Sequence, residues 1–272
     1  MDRRDRTKEQ EQMSVAEREE GKYLYAIIAC PQAREFKARG VGEQGDTVYT
    51  INHRRLAAVV SDSPMKEYDN SRRNMMAHAL VLEELMEEFD LLPVRFGTIA
   101  PASKSVGEQL LEPRYEEFTQ LLGEMDGRVE LGLKAFWYEG AVFDEVVREN
   151  QAIRALRDSL AGKPVEATHF ERIRLGEAVE KALNEKRNRD EEMILSRIRP
   201  HVRKTRTNKI LNERMVLNAA FLVDRAREPD VDAVIQQLDE EFGNRLMFKY
   251  VGPVAPYNFV NIIVEWVEKG AA

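Results

Sequence analysis

The stretch GVGEQG, residues 40–45, fits the G-x-G-x-x-G pattern letter for letter, and a loop of that kind can wrap the pyrophosphate of a dinucleotide. The chemistry requires the loop to leave a strand directly and to open a helix whose first amides meet the phosphates. Here the preceding apolar run ends near Cys30, and the residues that follow, DTVYTI, alternate as a strand. A plain connecting loop is the expected reading. No G-x-x-x-x-G-K-[ST] occurs either. The histidines are His53, His78, His169 and His201, and none stands in the H-E-x-x-H spacing of a zinc hydrolase. His78 shares an apolar helix face with Met75 and Leu82, so it is expected as a buried, hydrogen-bonded residue rather than a general base. The serines lack a G-x-S-x-G elbow. Cys30, the one cysteine, cannot form an intramolecular disulfide, and at a strand end before Pro31 it reads as a small buried hydrophobe.

Two stretches concentrate positive charge where it needs explaining. In LLPVRFGTIAPAS, residues 91–103, Arg95 lies between Val94 and Phe96 inside an apolar run. On an inner strand its guanidinium must be paired, because an uncompensated buried charge is strongly destabilising. A structural arginine with Gly97 turning the chain after it is therefore preferred to a catalytic one. The second stretch, RIRPHVRKTRTNKILNER at 197–214, gathers Arg197, Arg199, Arg203, Lys204 and Arg206. It could track phosphates, yet it lacks interleaved aromatics for base stacking. A patch for an acidic protein partner, or a solvated connector, is the more economical reading. Carboxylates are abundant, but most fall on amphipathic helices, where they solvate the outer face.

Those residues must be positioned by a chain of 272 residues, 43% hydrophobic and 33% charged, with a formal net charge of -7. The length suits two domains, and the acidic balance argues against a surface built throughout for nucleic acid. No run approaches a membrane span and the N-terminus lacks the apolar segment of a signal peptide, so a cytoplasmic protein is expected. Residues 1–21 read as a charged tail. YLYAIIAC, TVYTI and LAAVVSD read as strands, the last two as a hairpin. A helix capped by Asn70 or Ser71 follows, with Met75, Ala79, Leu82, Met86 and Phe89 on its expected core face. Strand LPVRFG, a helix from Ser105 to Leu122 and strand VELGLKAFWY complete an N-terminal α+β domain over 22–140, a sandwich with its helices on one face.

Residues 141–204 are expected to be a helical linker whose long helix also packs on its neighbours, the C-terminal domain included, through a thin apolar seam of Ile173, Val179, Leu183, Ile194 and Ile198. A second α+β domain over 205–268 should hold strand RMVLNAAFLVD, helix DVDAVIQQLDEEFG, strand RLMFKYVGP and a last strand NFVNIIVEW. The expected fold class is thus α+β in two domains joined by long helices.

In order along the chain, GVGEQG, LAAVVSD, AHALVLEEL with LLPVRFGT, LGLKAFWY, RLGEAVEKAL, VLNAAFLVD and YVGPVAPYNFV resemble the gas vesicle protein F/L family from about Tyr23 to Trp266. Val254 and Ala255 depart from the Trp-Pro common there. The resemblance implies an N-terminal domain of modified ferredoxin-like α/β-sandwich type and a C-terminal ferredoxin-like domain. It implies a non-enzymatic role without cofactor or metal, as an accessory or minor vesicle component. Such a protein would bind the hydrophobic major shell protein and other accessory proteins, prevent aggregation of the shell protein and assist vesicle nucleation. Pro93, Arg95, Phe96, Gly97 and Thr98, with Gly252, Pro253, Pro256, Tyr257, Asn258 and Phe259, are its motif residues, expected to be structural or partner-binding. A ferredoxin-like RNA- or nucleotide-binding protein is the alternative.

Overall fold

The computed structural model describes residues 20–42, 45–138 and 140–267. The expected charged tail therefore lies outside the described residues up to position 19, and Glu20 and Gly21 already belong to a strand. The chain is a mixed helix-and-sheet protein that divides into two compact units, Met1–Arg128 with Val254–Ala272, and Val129–Pro253.

The first unit contains β1 (Glu20–Ala29), β2 (Glu35–Arg39), β3 (Thr47–His53), β4 (Leu56–Pro64), α1 (Arg72–Glu88), β5 (Leu91–Pro93), β6 (Ile99–Ala100) and α2 (Tyr115–Met125). A helical stretch, Ser103–Ser105 running into the π-helical Val106–Leu111, precedes α2. The sheet runs β2-β3-β4-β1-β5, and β6 also pairs with β1. The β3–β4 hairpin is antiparallel from Val48↔Ser61 to His53↔Leu56, in keeping with the sequence reading. β2 falls where a loop is expected, and its alternation of exposed charge with half-buried Phe36 and Ala38 suits an edge strand. Both faces of the central strands are buried. Tyr23, Tyr25, Ala57 and Val59 pack with Val81, Leu82 and Leu85 of α1, and the alternate residues Leu24, Ile27, Ala58 and Val60 are equally inaccessible. α2 contacts β1 and β5, while the π-helical turn contacts β3 and β4. Helices thus cover two faces, where one is expected from the sequence.

Ser71 caps α1, its side chain accepting from the Asn74 N–H. The buried face is His78, Val81, Leu82 and Leu85, rotated from the expected set, and Met75 and Ala79 are exposed. Burying Val81 and Leu85 instead of Met75 and Ala79 puts branched side chains against the tyrosines of β1. The outer helix expected from Ser105 to Leu122 is broken before α2, around Pro113, which has no N–H to continue the ladder.

The second unit contains β7 (Arg128–Trp137), α3 (Ala141–Glu149), α4 (Gln151–Leu160), α5 (His169–Ile198), β8 (Lys204–Thr207), β9 (Met215–Asp224), α6 (Glu228–Phe242) and β10 (Leu246–Val254). Its sheet order is β10-β7-β9-β8. This division differs from the expected boundaries at 140/141 and 204/205, and hydrogen bonding explains why. β7 has β9 and β10 as its sheet neighbours, and Ile194, Leu195 and Ile198 of α5 share a core with β7, β9 and α6. The long helix thus packs on the C-terminal strands as expected, and the helices of 141–204 fall within the second unit. Ile173 of the expected seam is exposed, while Lys186 and Asp190 of the same helix are buried. The expected strand NFVNIIVEW does not form. Its one ladder contact is an isolated parallel bridge from Ile262 to Val94, within the first unit. Among the described residues, no helix is long and apolar enough to cross a membrane.

Candidate functional site: a tyrosine–histidine joint and an exposed helix face

The PVRFGT motif interrupts a strand that runs alongside β1. The Val94 N–H donates to the Tyr25 carbonyl and the Leu24 N–H to the Thr98 carbonyl, at 2.8 and 2.9 Å, so both ends of the loop are tied to β1. Between them the chain bulges. Gly97 adopts φ 84°, and the Thr98 hydroxyl donates to the Arg95 carbonyl at 2.7 Å. The Arg95 side chain is exposed, because the strand ends at Pro93 and residue 95 stands on the loop. The expectation of a buried, paired guanidinium is thereby corrected: the backbone of Arg95, not its charge, organises the turn. Gly97→Ala should cost about 1 kcal/mol, the ordinary penalty of a left-handed conformation. Among the described residues nothing lies within 4 Å of an added Cβ, so thermal denaturation should show this small loss with no packing defect added.

His78 of α1 sits at the centre of this region. Its Nδ1 is 3.1 Å from the Tyr23 hydroxyl and its Nε2 is 2.7 Å from the Tyr257 hydroxyl. The Gly97 N–H donates to the Tyr23 oxygen at 3.0 Å. A neutral imidazole has one donor and one acceptor nitrogen, so the ring donates to one of these two tyrosine hydroxyls and accepts from the other. The rings of Tyr23, Tyr25, Phe96 and Tyr257 surround the imidazole at 5.8, 5.4, 5.7 and 6.4 Å. Burial pushes its pKa down to about 4. Burial likewise pushes the Tyr23 hydroxyl up, against the Gly97 amide bond that lowers it, and it raises Tyr25 to about 12, against its Ser61 and Val41 bonds. All three groups are neutral at pH 7, and each hydroxyl is engaged in packing. The two sequence motifs are thus joined by one histidine: PVRFGT through Tyr23, and PYNFV through Tyr257. Ala255 packs in the same core. Gly252 and Pro253 fall in the second unit, where a Cβ on Gly252, at φ 140°, would come within 2.6 Å of Leu131 Cδ2. Sequence periodicity singles out His78 but gives no sign of its two tyrosine partners, one of them 179 positions away.

The Gly40–Gly45 loop links β2 to β3, and the Gly40 N–H donates to the Asp46 carbonyl at 2.8 Å, so it closes a hairpin and opens no helix. Glu43 and Gln44 lie outside the described residues. In the basic stretch, Arg197 pairs with Glu241, Arg199 with Glu192 and Arg203 with Asp224. Lys204 and Arg206 stand on β8, an edge strand exposed along its whole length. Charge on an edge strand opposes stray pairing, which gives these residues a structural use. No group of three or more His, Cys, Asp or Glu among the described residues is arranged to hold a metal ion. The outward face of α1, by contrast, carries Met75, Met76 and Leu80 at 45%, 52% and 53% exposure.

Fold and site define a two-unit helix-and-sheet protein whose motif loops are cross-braced by a buried histidine and which shows solvent an apolar helix face. The signature of the family described as gas vesicle synthesis protein GvpL/GvpF matches residues 21–261, and the chain belongs to that family. It is 31% identical over 242 residues to gas vesicle protein F of a Streptomyces species, covering 88% of this chain and 98% of that one. Gas vesicle protein F of Dolichospermum flosaquae is 27% identical over 242 residues, covering 88% and 97%. The crystal structure of GvpF from Anabaena sp. PCC7120 superimposes with a TM-score of 0.78 at 28% identity, covering 90% of this chain and 100% of that one.

Proposed function

We propose that this protein is an accessory factor of gas vesicle assembly that binds the hydrophobic major shell protein, keeps it from aggregating and assists vesicle nucleation. It does so in the cytoplasm and at the vesicle, in company with other accessory proteins and without catalysis. Family membership supports the vesicle role, and the observation that carries the binding reading is the exposed Met75–Met76–Leu80 face of α1. Methionine side chains are flexible and polarisable, so they suit a surface that must accommodate apolar partners of imperfect fit. A soluble protein covering a subunit's apolar surface lowers its free concentration and hence its premature association. In this reading PVRFGT and PYNFV are structural residues that hold α1 through His78.

With the three helices α3, α4 and α5 together taking the place of the first helix in a β-α-β-β-α-β order, the element order and the strand order β10-β7-β9-β8 support reading the second unit as ferredoxin-like. The first unit is read as a modified relative of that fold, with the charged tail before it.

The test is light scattering of purified shell subunit diluted from denaturant. An equimolar amount of this protein should suppress the signal, and the variant Met75→Gln/Met76→Gln/Leu80→Gln should need at least about fivefold more, a loss of about 1 kcal/mol. Unchanged scattering with wild-type protein in tenfold excess would remove the chaperone reading; full suppression by the variant would move the binding face elsewhere.

A further inference from the structure

The second unit carries a groove with a different character. A cavity of about 470 Å³ lies between α6 and β10, bordered by Glu228, Asp232, Asp239, Ile235, Phe248 and Tyr250. The helix residues fall at steps of four, three and four, so they share one face of α6, and the strand residues alternate, so they share one face of β10. Apolar groups make the floor and carboxylates the rim. The Asp232 carboxylate accepts from the Tyr250 hydroxyl at 2.7 Å, and no lysine or arginine among the described residues lines the groove.

β10 is also the terminal strand of its sheet, with β7 as its one neighbour among the described residues. An edge strand presents backbone donors and acceptors to any extended segment that comes alongside. On the face of β10 opposite the groove, Val251 is 58% exposed, next to the side-chain-free Gly132. Pro253, which has no N–H, ends the usable edge.

We propose that the β10 edge docks an extended partner segment in which lysine or arginine alternates with apolar residues. A strand added at about 4.8 Å from β10 places alternate side chains on opposite faces. One set enters the groove, where a cation meets the carboxylates of Glu228, Asp232 and Asp239 and the aromatic faces of Phe248 and Tyr250. The other set covers Val251. This surface is separate from the α1 face, so the two can succeed or fail independently.

The experiment uses the full chain and a fluorescein-labelled peptide in which four arginines alternate with valines between Gly-Ser ends. Fluorescence anisotropy should show saturable binding that weakens with salt. A peptide of the same composition with its arginines contiguous should bind at least tenfold more weakly, and one with glutamate in place of arginine should not bind. The variant Glu228→Gln/Asp232→Asn/Asp239→Asn should lose at least tenfold in affinity. Because the whole protein is acidic, Glu83→Gln/Glu87→Gln/Glu116→Gln, which removes the same charge elsewhere, should lose less than twofold. Equal affinity for the alternating and contiguous peptides would overturn the proposal, as would equal losses in the two triple variants. The peptide comparison is made on unaltered protein, so it stays decisive even where a variant fails to fold.

Discussion

Replacing Asp190 by alanine is expected to destabilise the protein by roughly 3–4 kcal/mol, the range seen when one partner of a buried ion pair is removed. Asp190 is 7% exposed on α5. It accepts the Trp137 indole N–H at 2.8 Å and pairs with Arg245. Arg245 also reaches Glu145 at 3.0 Å, and Glu145 bonds the buried Lys186 at 2.7 Å. One network therefore ties β7, α3, α5 and the residue just before β10. Burial works against the charge of Arg245 and of Glu145, yet the partners outweigh it, raising the arginine and holding the carboxyl below its usual range. Without Asp190, the indole N–H and one side of Arg245 would be left unsatisfied in a nearly dry site. Thermal denaturation should show a fall on the order of 10 °C. A shift under about 2 °C would mean that water replaces the carboxylate at little cost.

Acid should act on the first unit through His78. In the unfolded chain its imidazole takes up a proton near pH 6.5, whereas in the fold burial holds its pKa down to about 4. Below pH 6.5 the unfolded state therefore binds a proton that the native state refuses, and stability falls as pH drops from 6.5 toward 4. Above that window the native state carries no such penalty. The full difference is roughly 3 kcal/mol. Urea unfolding at pH 7.5 and 4.5 should show His78→Gln losing less stability between the two than wild type does, by about 2 kcal/mol. An imidazole NMR titration centred near pH 6.5 in the folded protein would contradict this account.

What is legible in the sequence is local. The β3–β4 hairpin, the Ser71 cap, and strands β7, β9 and β10 follow from alternation, capping chemistry and apolar runs. What is not legible depends on partners far along the chain. The core face of α1 is misplaced by periodicity because Met75 and Ala79 satisfy helical spacing as well as Val81 and Leu85 do; only the tyrosines of β1 decide between them. Lys186 and Asp190 read as part of a solvated charged face, and Glu145, Trp137 and Arg245 make them interior. β8 carries no buried residue, so no hydrophobic pattern could announce it. The motif residues are legible as a pair, but PVRFGT reads as a strand with a buried arginine. The exposed Arg95 and the link through His78 emerge only when β1, α1 and the segment after β10 are brought together.

That last segment has a bearing on biosynthesis. On the ribosome, the polypeptide delivers everything needed for the sheet of the first unit before Val129 appears, yet Ala255, Tyr257 and Ile262 emerge only after all of Val129–Pro253 has been made. The nascent first unit therefore waits with the outer nitrogen of His78 and the side of Val94 uncovered until the later unit, whose parts are contiguous, has been made in full. Translation order makes the earliest residues among the last to be sealed.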